Sequence, residues 1–259
     1  MSGFKIVTDH ANVVYIYDGS LGGFYTCVHE SIYSHELPAG IFCEEDDQLN
    51  IFPVKHIDTD IEKAGKVRAS IFKYLSPDSV ELIERVFLSC LCEKELNILK
   101  YIIFGFTEGG HNTPFMMGNP VVSVLLKADK HLSGECQLLL GFVRFSDYGD
   151  MLGAVITPKN YVLPFIASHF ISRYSNENFI IYDKTNSAAL VYQNKKAEIL
   201  KVSDITFNEP DERELYYQGM WKSFYNTIGI KERVNPKCRM THMPKRYWSN
   251  MTEMKELLN

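Results

Sequence analysis

Five short β-rich runs in the second half of the chain, and above all the lengths of the connections between them, constrain the fold most. The runs are Gln137–Phe145, Leu152–Thr157, Phe179–Asp183, Ala188–Gln193 and Ala197–Val202. A parallel neighbour needs a crossover of about a dozen residues or more, usually a helix. Ser146-Asp147-Tyr148-Gly149-Asp150 and Gln193-Asn194-Lys195-Lys196 are too short for that, so the strands they join are expected to run antiparallel. One helical pattern, Val162–Tyr174, interrupts the series. A doubly wound sheet is thereby excluded. The expectation is an α+β fold with a mixed, largely antiparallel sheet and flanking helices.

The first half reads as mainly helical. Val13–Tyr17 is a β-rich run that stops at Asp18-Gly19-Ser20, and a helical pattern follows over Leu21–Ser34. Ile41–Val54 is loop-like with an acidic tip, Glu44–Asp47. Asp60–Tyr74 places Ile61, Ala64, Val67, Ile71 and Leu75 at helical spacing. Further helices are expected over Pro77–Cys90, where Ser76-Pro77 is a cap followed by proline at the first helical position, and over Glu93–Phe104. Gly105–Pro120 is the densest run of glycine and proline, and it divides the chain into residues 1–112 and 113–259. Beyond it, helices are expected at Val121–His131 and Arg213–Tyr225, with Pro244 starting a last one.

Charge is unevenly distributed along this framework. The whole chain carries a net charge of −5, which weighs against indiscriminate coating of nucleic acid, because the summed field repels phosphate at long range. From Met220 onward, however, eight basic residues face three acidic ones, and Trp221, Tyr225, Tyr247 and Trp248 lie among them. Cations interleaved with aromatics suit a surface that neutralises phosphates and stacks on bases. Arg233, Lys237, Arg239, Lys245, Arg246, Tyr247 and Trp248 are the nucleic-acid-binding candidates, with DNA as the expected partner.

Six cysteines without CxxC pairs lack the usual spacing of a zinc ribbon or an iron–sulfur cluster. They are read as reduced structural thiols, Cys90 and Cys92 on a helix among them, and no metal or other cofactor is assigned. No run of about 18 apolar residues is present to span a bilayer, and the N-terminal stretch lacks the pattern of a signal peptide. A cytoplasmic location without a membrane partner is the expectation.

Several fragments carry a resemblance when taken in order: Tyr17-Asp18-Gly19-Ser20 with Gly23-Phe24, Gly141-Phe142-Val143-Arg144-Phe145, Leu163-Pro164-Phe165 leading to His169-Phe170, Ile180-Ile181-Tyr182-Asp183, and Met243-Pro244-Lys245-Arg246-Tyr247-Trp248. The chain resembles a bacterial family of DNA-repair or DNA-metabolism proteins of unknown mechanism, typically encoded beside a radical-SAM protein. A related region is found fused to uracil-DNA-glycosylase-like domains. The resemblance implies an accessory protein that binds DNA and acts with the radical-SAM partner. It implies no catalytic residue. The family pattern Glu-x-His before Gly141 is replaced here by Glu135-Cys136-Gln137.

Two other functions stay open. A DNA-processing enzyme, glycosylase-like or nuclease-like, would draw on His169 and Arg173, four residues apart on one helix face, with Asp183 and Arg144. Arg144 would share a strand face with Phe142, or else pair with a carboxylate while Val143 and Phe145 face the core. A protein-interaction module would use the basic tail against an acidic partner. Asp18-Gly19-Ser20 either caps the following helix through Ser20 or presents a helix start to a phosphate. Gly105–Gly110 follows a helix and lacks the Lys-Ser/Thr ending of a phosphate loop.

Overall fold

The computed structural model describes residues 9–45, 51–230 and 233–258. The chain divides into two compact units, Met1–Leu132 and Ser133–Asn259.

The first unit contains β1 (Asp9–Tyr17), α1 (Leu21–Tyr33), β2 (Glu36–Cys43), β3 (Val54–His56), α2 (Ile61–Tyr74), α3 (Pro77–Phe87) and α4 (Lys94–Phe104). Its three strands form a parallel sheet in the order β2-β1-β3, with Tyr15 and Tyr17 of the central strand buried. The Tyr15 hydroxyl donates to Glu36 at 2.7 Å and that of Tyr17 to Glu95 at 3.0 Å. β2 runs through Glu36-Leu37-Pro38, for which no element was expected, and takes Ile41–Cys43 from the start of the segment expected to be loop-like, Ile41–Val54, whose last residue begins β3. Pro38 and Gly40 disguise β2, and an edge strand tolerates both because its outer ladder positions have no partner. Asp46 and Asp47 of the acidic tip lie outside the described residues.

Helix starts follow the sequence closely. Ser20 caps α1 by accepting from Gly23 N at 2.9 Å, and Asp18 in turn accepts from the Ser20 backbone N and hydroxyl. Asp60 caps α2, and Ser76 caps α3 with Pro77 behind it. Ala64, Val67, Ile71 and Leu75 are buried as their spacing requires, whereas Ile61, the first residue of α2, is exposed, because the helix has no turn before it to fold that position inward. α3 ends earlier than expected, so Cys90 and Cys92 sit in the following loop and are exposed rather than buried; Cys43 is half-buried and Cys238 exposed, leaving only Cys27 and Cys136 as buried thiols.

Gly105–Pro120 forms a single π-helical turn, Gly105–Gly109, and a 3-10 helix, Gly110–Phe115. The unit boundary does not fall here. The next helix, α5 (Pro120–Phe142), buries Val122, Leu125 and Ala128 in the core of the first unit, which carries the boundary to Leu132. The expected strand Gln137–Phe145 is corrected to helix as far as Phe142. Leu132, Cys136 and Leu139 are buried at intervals of three and four residues, and a leucine-rich run with one β-branched residue favours continuing a helix already begun.

The second unit adds β4 (Ser146–Asp147), β5 (Leu152–Ile156), α6 (Leu163–Arg173), β6 (Phe179–Asp183), β7 (Ala188–Gln193), β8 (Lys196–Lys201), α7 (Glu212–Ile228) and α8 (Pro236–His242). The sheet order is β4-β5-β6-β7-β8. β5 and β6 run parallel across the α6 crossover, and every other neighbouring pair is antiparallel. The α+β architecture expected from the connections is therefore observed. Asn194 and Lys195 both have positive φ, 52° and 61°, which is the two-residue turn whose twist suits a hairpin. β8 is exposed throughout and places Lys196, Glu198 and Lys201 along the sheet edge, where charge disfavours pairing with another chain. Phe145 packs against Phe170, Tyr174 and Phe179, as its core-facing assignment required.

Candidate nucleic-acid interface

The C-terminal segment is built on a buried anchor. Tyr247 and Trp248 lie on a 3-10 helix, Lys245–Asn250, started by Pro244, and they are only 5% and 4% exposed; Met251 and Met254 are fully buried. The Tyr247 hydroxyl donates to Glu135 Oε1. Glu135 also accepts from the backbone N of Lys159 and Asn160 and from Asn160 Nδ2, the last at 2.7 Å. Burial alone would push the Glu135 carboxyl up, but the hydrogen bonds from Tyr247, Asn160 and Lys159 outweigh it and hold the group below the usual carboxylate range. Arg246 donates to the Thr157 carbonyl at 2.6 Å and lies 3.8 Å from Glu135. Thr157 and Asn160 follow β5, so the segment closes over the carboxyl end of that strand.

A second anchor joins three further stretches. Arg144 donates through Nε and Nη2 to the two oxygens of Glu253, at 3.2 and 2.6 Å, and through Nη1 to the Gly141 carbonyl. Trp221 of α7 donates to the same carboxylate at 3.0 Å, and the Arg144 guanidinium lies 5.4 Å from the Trp221 ring centroid. The Glu253 side chain is 1% exposed. Burial would push its carboxyl up, yet the Arg144 and Trp221 hydrogen bonds hold it below the usual carboxylate range and ionised.

These anchors sort the seven candidates. Arg233, Lys237 and Lys245 are exposed and Arg239 is half-exposed, so their charges are available to phosphate. Arg246 is engaged with Thr157 and Glu135. Tyr247 and Trp248 have no open ring face for a base. Trp248 instead supports cations: Arg239 and Lys245 each lie 5.8 Å from its ring centroid. Open aromatic surface is found on α7, where Tyr216, Tyr217 and Phe224 are 66%, 49% and 54% exposed. Tyr216 and Tyr217 precede the basic and aromatic segment counted from Met220, and as adjacent residues they carry no periodic signal that would mark an exposed face. The inward residues of α7 are polar: Glu214 is buried, accepting from Asp147 N and from Gln218.

The four catalytic candidates are His169 and Arg173 on α6, Asp183 at the end of β6, and Arg144. Among the described residues, no hydrogen bond or ion pair joins any two of them. Arg144 is committed to Glu253, and it lies beyond the end of α5 rather than on a strand beside Phe142. His169 is half-buried, edge-on to Phe170, and Arg173 is exposed. Asp183 is fully buried at the end of β6, accepting from Thr185 N, Asn186 N and Asn186 Nδ2. Burial, only partly offset by those bonds, raises its carboxyl to about 6, and the nearby Glu135 charge adds to the rise. Glu135, which the sequence marked only as a departure from a family pattern, is the hub of the anchor.

Among the described residues, no three His, Cys, Asp or Glu side chains are grouped to hold a metal ion, and no helix is long and apolar enough to cross a membrane. Residues 92–253 match a protein family described as a domain of unknown function, DUF4130. No curated protein and no solved structure matches the chain.

Proposed function

The chain belongs to the DUF4130 family, and on that premise we propose that it is an accessory protein of DNA repair or DNA metabolism, which binds DNA through residues 213–245 and acts with a radical-SAM partner. One observation carries the reading. The same segment exposes cations, at Arg233, Lys237, Arg239 and Lys245, and aromatic faces, at Tyr216, Tyr217 and Phe224, while the tryptophan and tyrosine that follow are spent on anchoring. Exposed aromatics are costly in water unless a partner covers them, and bases offer π-faces of any sequence. The overall acidity of the chain confines contact to this patch.

The test is the salt dependence of binding to a fluorescent single-stranded oligonucleotide. Each phosphate neutralised contributes about 0.7 to the slope of log affinity against log salt, so Lys237→Ala with Lys245→Ala is expected to flatten it by roughly 1.4. Absence of binding at low salt would overturn the reading. The exposure of Leu215, Met220 and Ile228, which offer no ring to a base, favours a second reading, an interaction module for an acidic protein. Turnover of an oligonucleotide by the purified protein alone would move the assignment to a DNA-processing enzyme.

A further inference from the structure

We infer that the cleft between the end of α7 and α8 receives one nucleotide of a single strand, with its phosphate on Arg233 and Arg239 and its base against Tyr225 and Val234. The inference rests on the DNA-binding reading and specifies what that patch holds. The cleft is an open groove of about 450 Å³, lined by Tyr225, Ile228, Ile230, Arg233, Val234 and Arg239, with Cys238 and Asn235 in its wall. That volume lies within the range of small-ligand sites, about 300–1,000 Å³.

The composition of the walls selects the occupant. Two guanidinium groups line the cleft, and no carboxylate does among the described residues, so the site favours an anion. Ile228, Ile230 and Val234 are 60%, 53% and 62% exposed, so the same cleft presents apolar surface that a flat, weakly polar body would cover. An inorganic anion leaves that surface wet, and an apolar ligand leaves the arginines unmatched. A nucleotide satisfies both. Arg239 is held from behind by the buried Trp248, which limits the rotamer freedom it must lose on binding. In a duplex the base faces are stacked away, so the base must come from a single strand or a splayed-out position.

Cys238 makes the cleft testable in the full-length protein without any substitution. Its thiol is exposed, as are those of Cys90 and Cys92 in the other unit, which serve as internal controls. The rate of iodoacetamide alkylation is followed peptide by peptide by mass spectrometry, alone, with a ten-residue oligothymidylate, and with thymidine monophosphate. The expected result is a slowing of Cys238 labelling of about tenfold at saturating oligonucleotide with Cys90 and Cys92 unchanged, and a loss of about tenfold in affinity for Arg233→Ala. Oligonucleotide binding that leaves Cys238 labelling unchanged would overturn the cleft while leaving DNA binding intact. Neither binding nor protection would overturn both. Protection by thymidine monophosphate without any oligonucleotide binding would remove the strand as occupant and the DNA reading with it.

Discussion

The hydroxyl of Tyr247 donates to Oε1 of Glu135, a residue 112 positions earlier in the chain, at 2.5 Å. This bond ties the C-terminal segment to α5 and, through the other acceptor positions of Glu135, to the loop after β5. The aromatic part of the basic segment is thus a clamp, and its cations are what remains for a partner.

Replacing Tyr247 by Phe keeps the ring and removes the hydrogen bond to an ionised, buried carboxylate. A loss of about 1.5–3 kcal/mol is expected, read as a lower midpoint in urea unfolding. An unchanged midpoint would show that the donor is dispensable and that the clamp rests on ring packing alone.

Glu253→Gln leaves Arg144 without its charge partner in a site where the carboxylate is 1% exposed. Removing one member of a buried pair costs about 3–5 kcal/mol, a figure to be lowered here because the Arg144 side chain is 25% exposed. Arg144→Lys with Glu253 intact is expected to keep only part of the parent's stability, since an ammonium cannot match both carboxylate oxygens. A lysine variant as stable as the parent would show that charge alone, without the fork geometry, holds the segment.

Asp183 should make stability fall with rising pH. Its folded carboxyl is raised from 3.8 to about 6, so the native state holds the proton more tightly than the unfolded chain. The contribution is fully present below pH 4 and lost as pH rises through 6, amounting to about 3 kcal/mol at most. Glu135 and Glu253 have the opposite sign, because their folded carboxyls lie below the ordinary value; their stabilisation is lost as pH falls through that lower range. Unfolding of Asp183→Asn compared with the parent at pH 4.5 and 7.5 isolates the first effect. Equal pH dependence in the two proteins would remove Asp183 as its source.

Gly153 of β5 lies beneath the stacked rings of Tyr148 and Phe207, whose centroids are 5.1 Å apart. A Cβ there would sit 2.5 Å from Phe207 and 2.7 Å from Tyr148. Gly153→Ala is expected to displace the pair and cost about 1–3 kcal/mol in thermal or urea unfolding. A variant as stable as the parent would mean that the two rings move aside freely.

Local signals in the sequence were sufficient for most elements of the second sheet and for the helix caps. Ser20, Asp60 and Ser76 act on backbone groups two or three residues away, and Asn194-Lys195 sets a two-residue turn between adjacent strands. Elements that depend on a distant partner were not legible. β2 is a strand because β1 pairs with it despite Pro38 and Gly40, and residues 137–142 are helical because they continue α5, begun at Pro120, which buries Leu132, Cys136 and Leu139 along one face.

The amino-acid sequence by itself determined the α+β class, the antiparallel hairpins and the concentration of basic and aromatic residues near the C-terminus, since each follows from short-range spacing or from composition. The tertiary structure alone decided what those residues do. It buried Tyr247 and Trp248, placed Arg246 and Arg144 on protein acceptors, left Arg233, Lys237 and Lys245 exposed and Arg239 half-exposed, and opened Tyr216, Tyr217 and Phe224 on α7. The physical reason is that burial and pairing are set by partners about a hundred residues away, such as Glu135 for Tyr247 and Glu253 for Arg144, which no local pattern records.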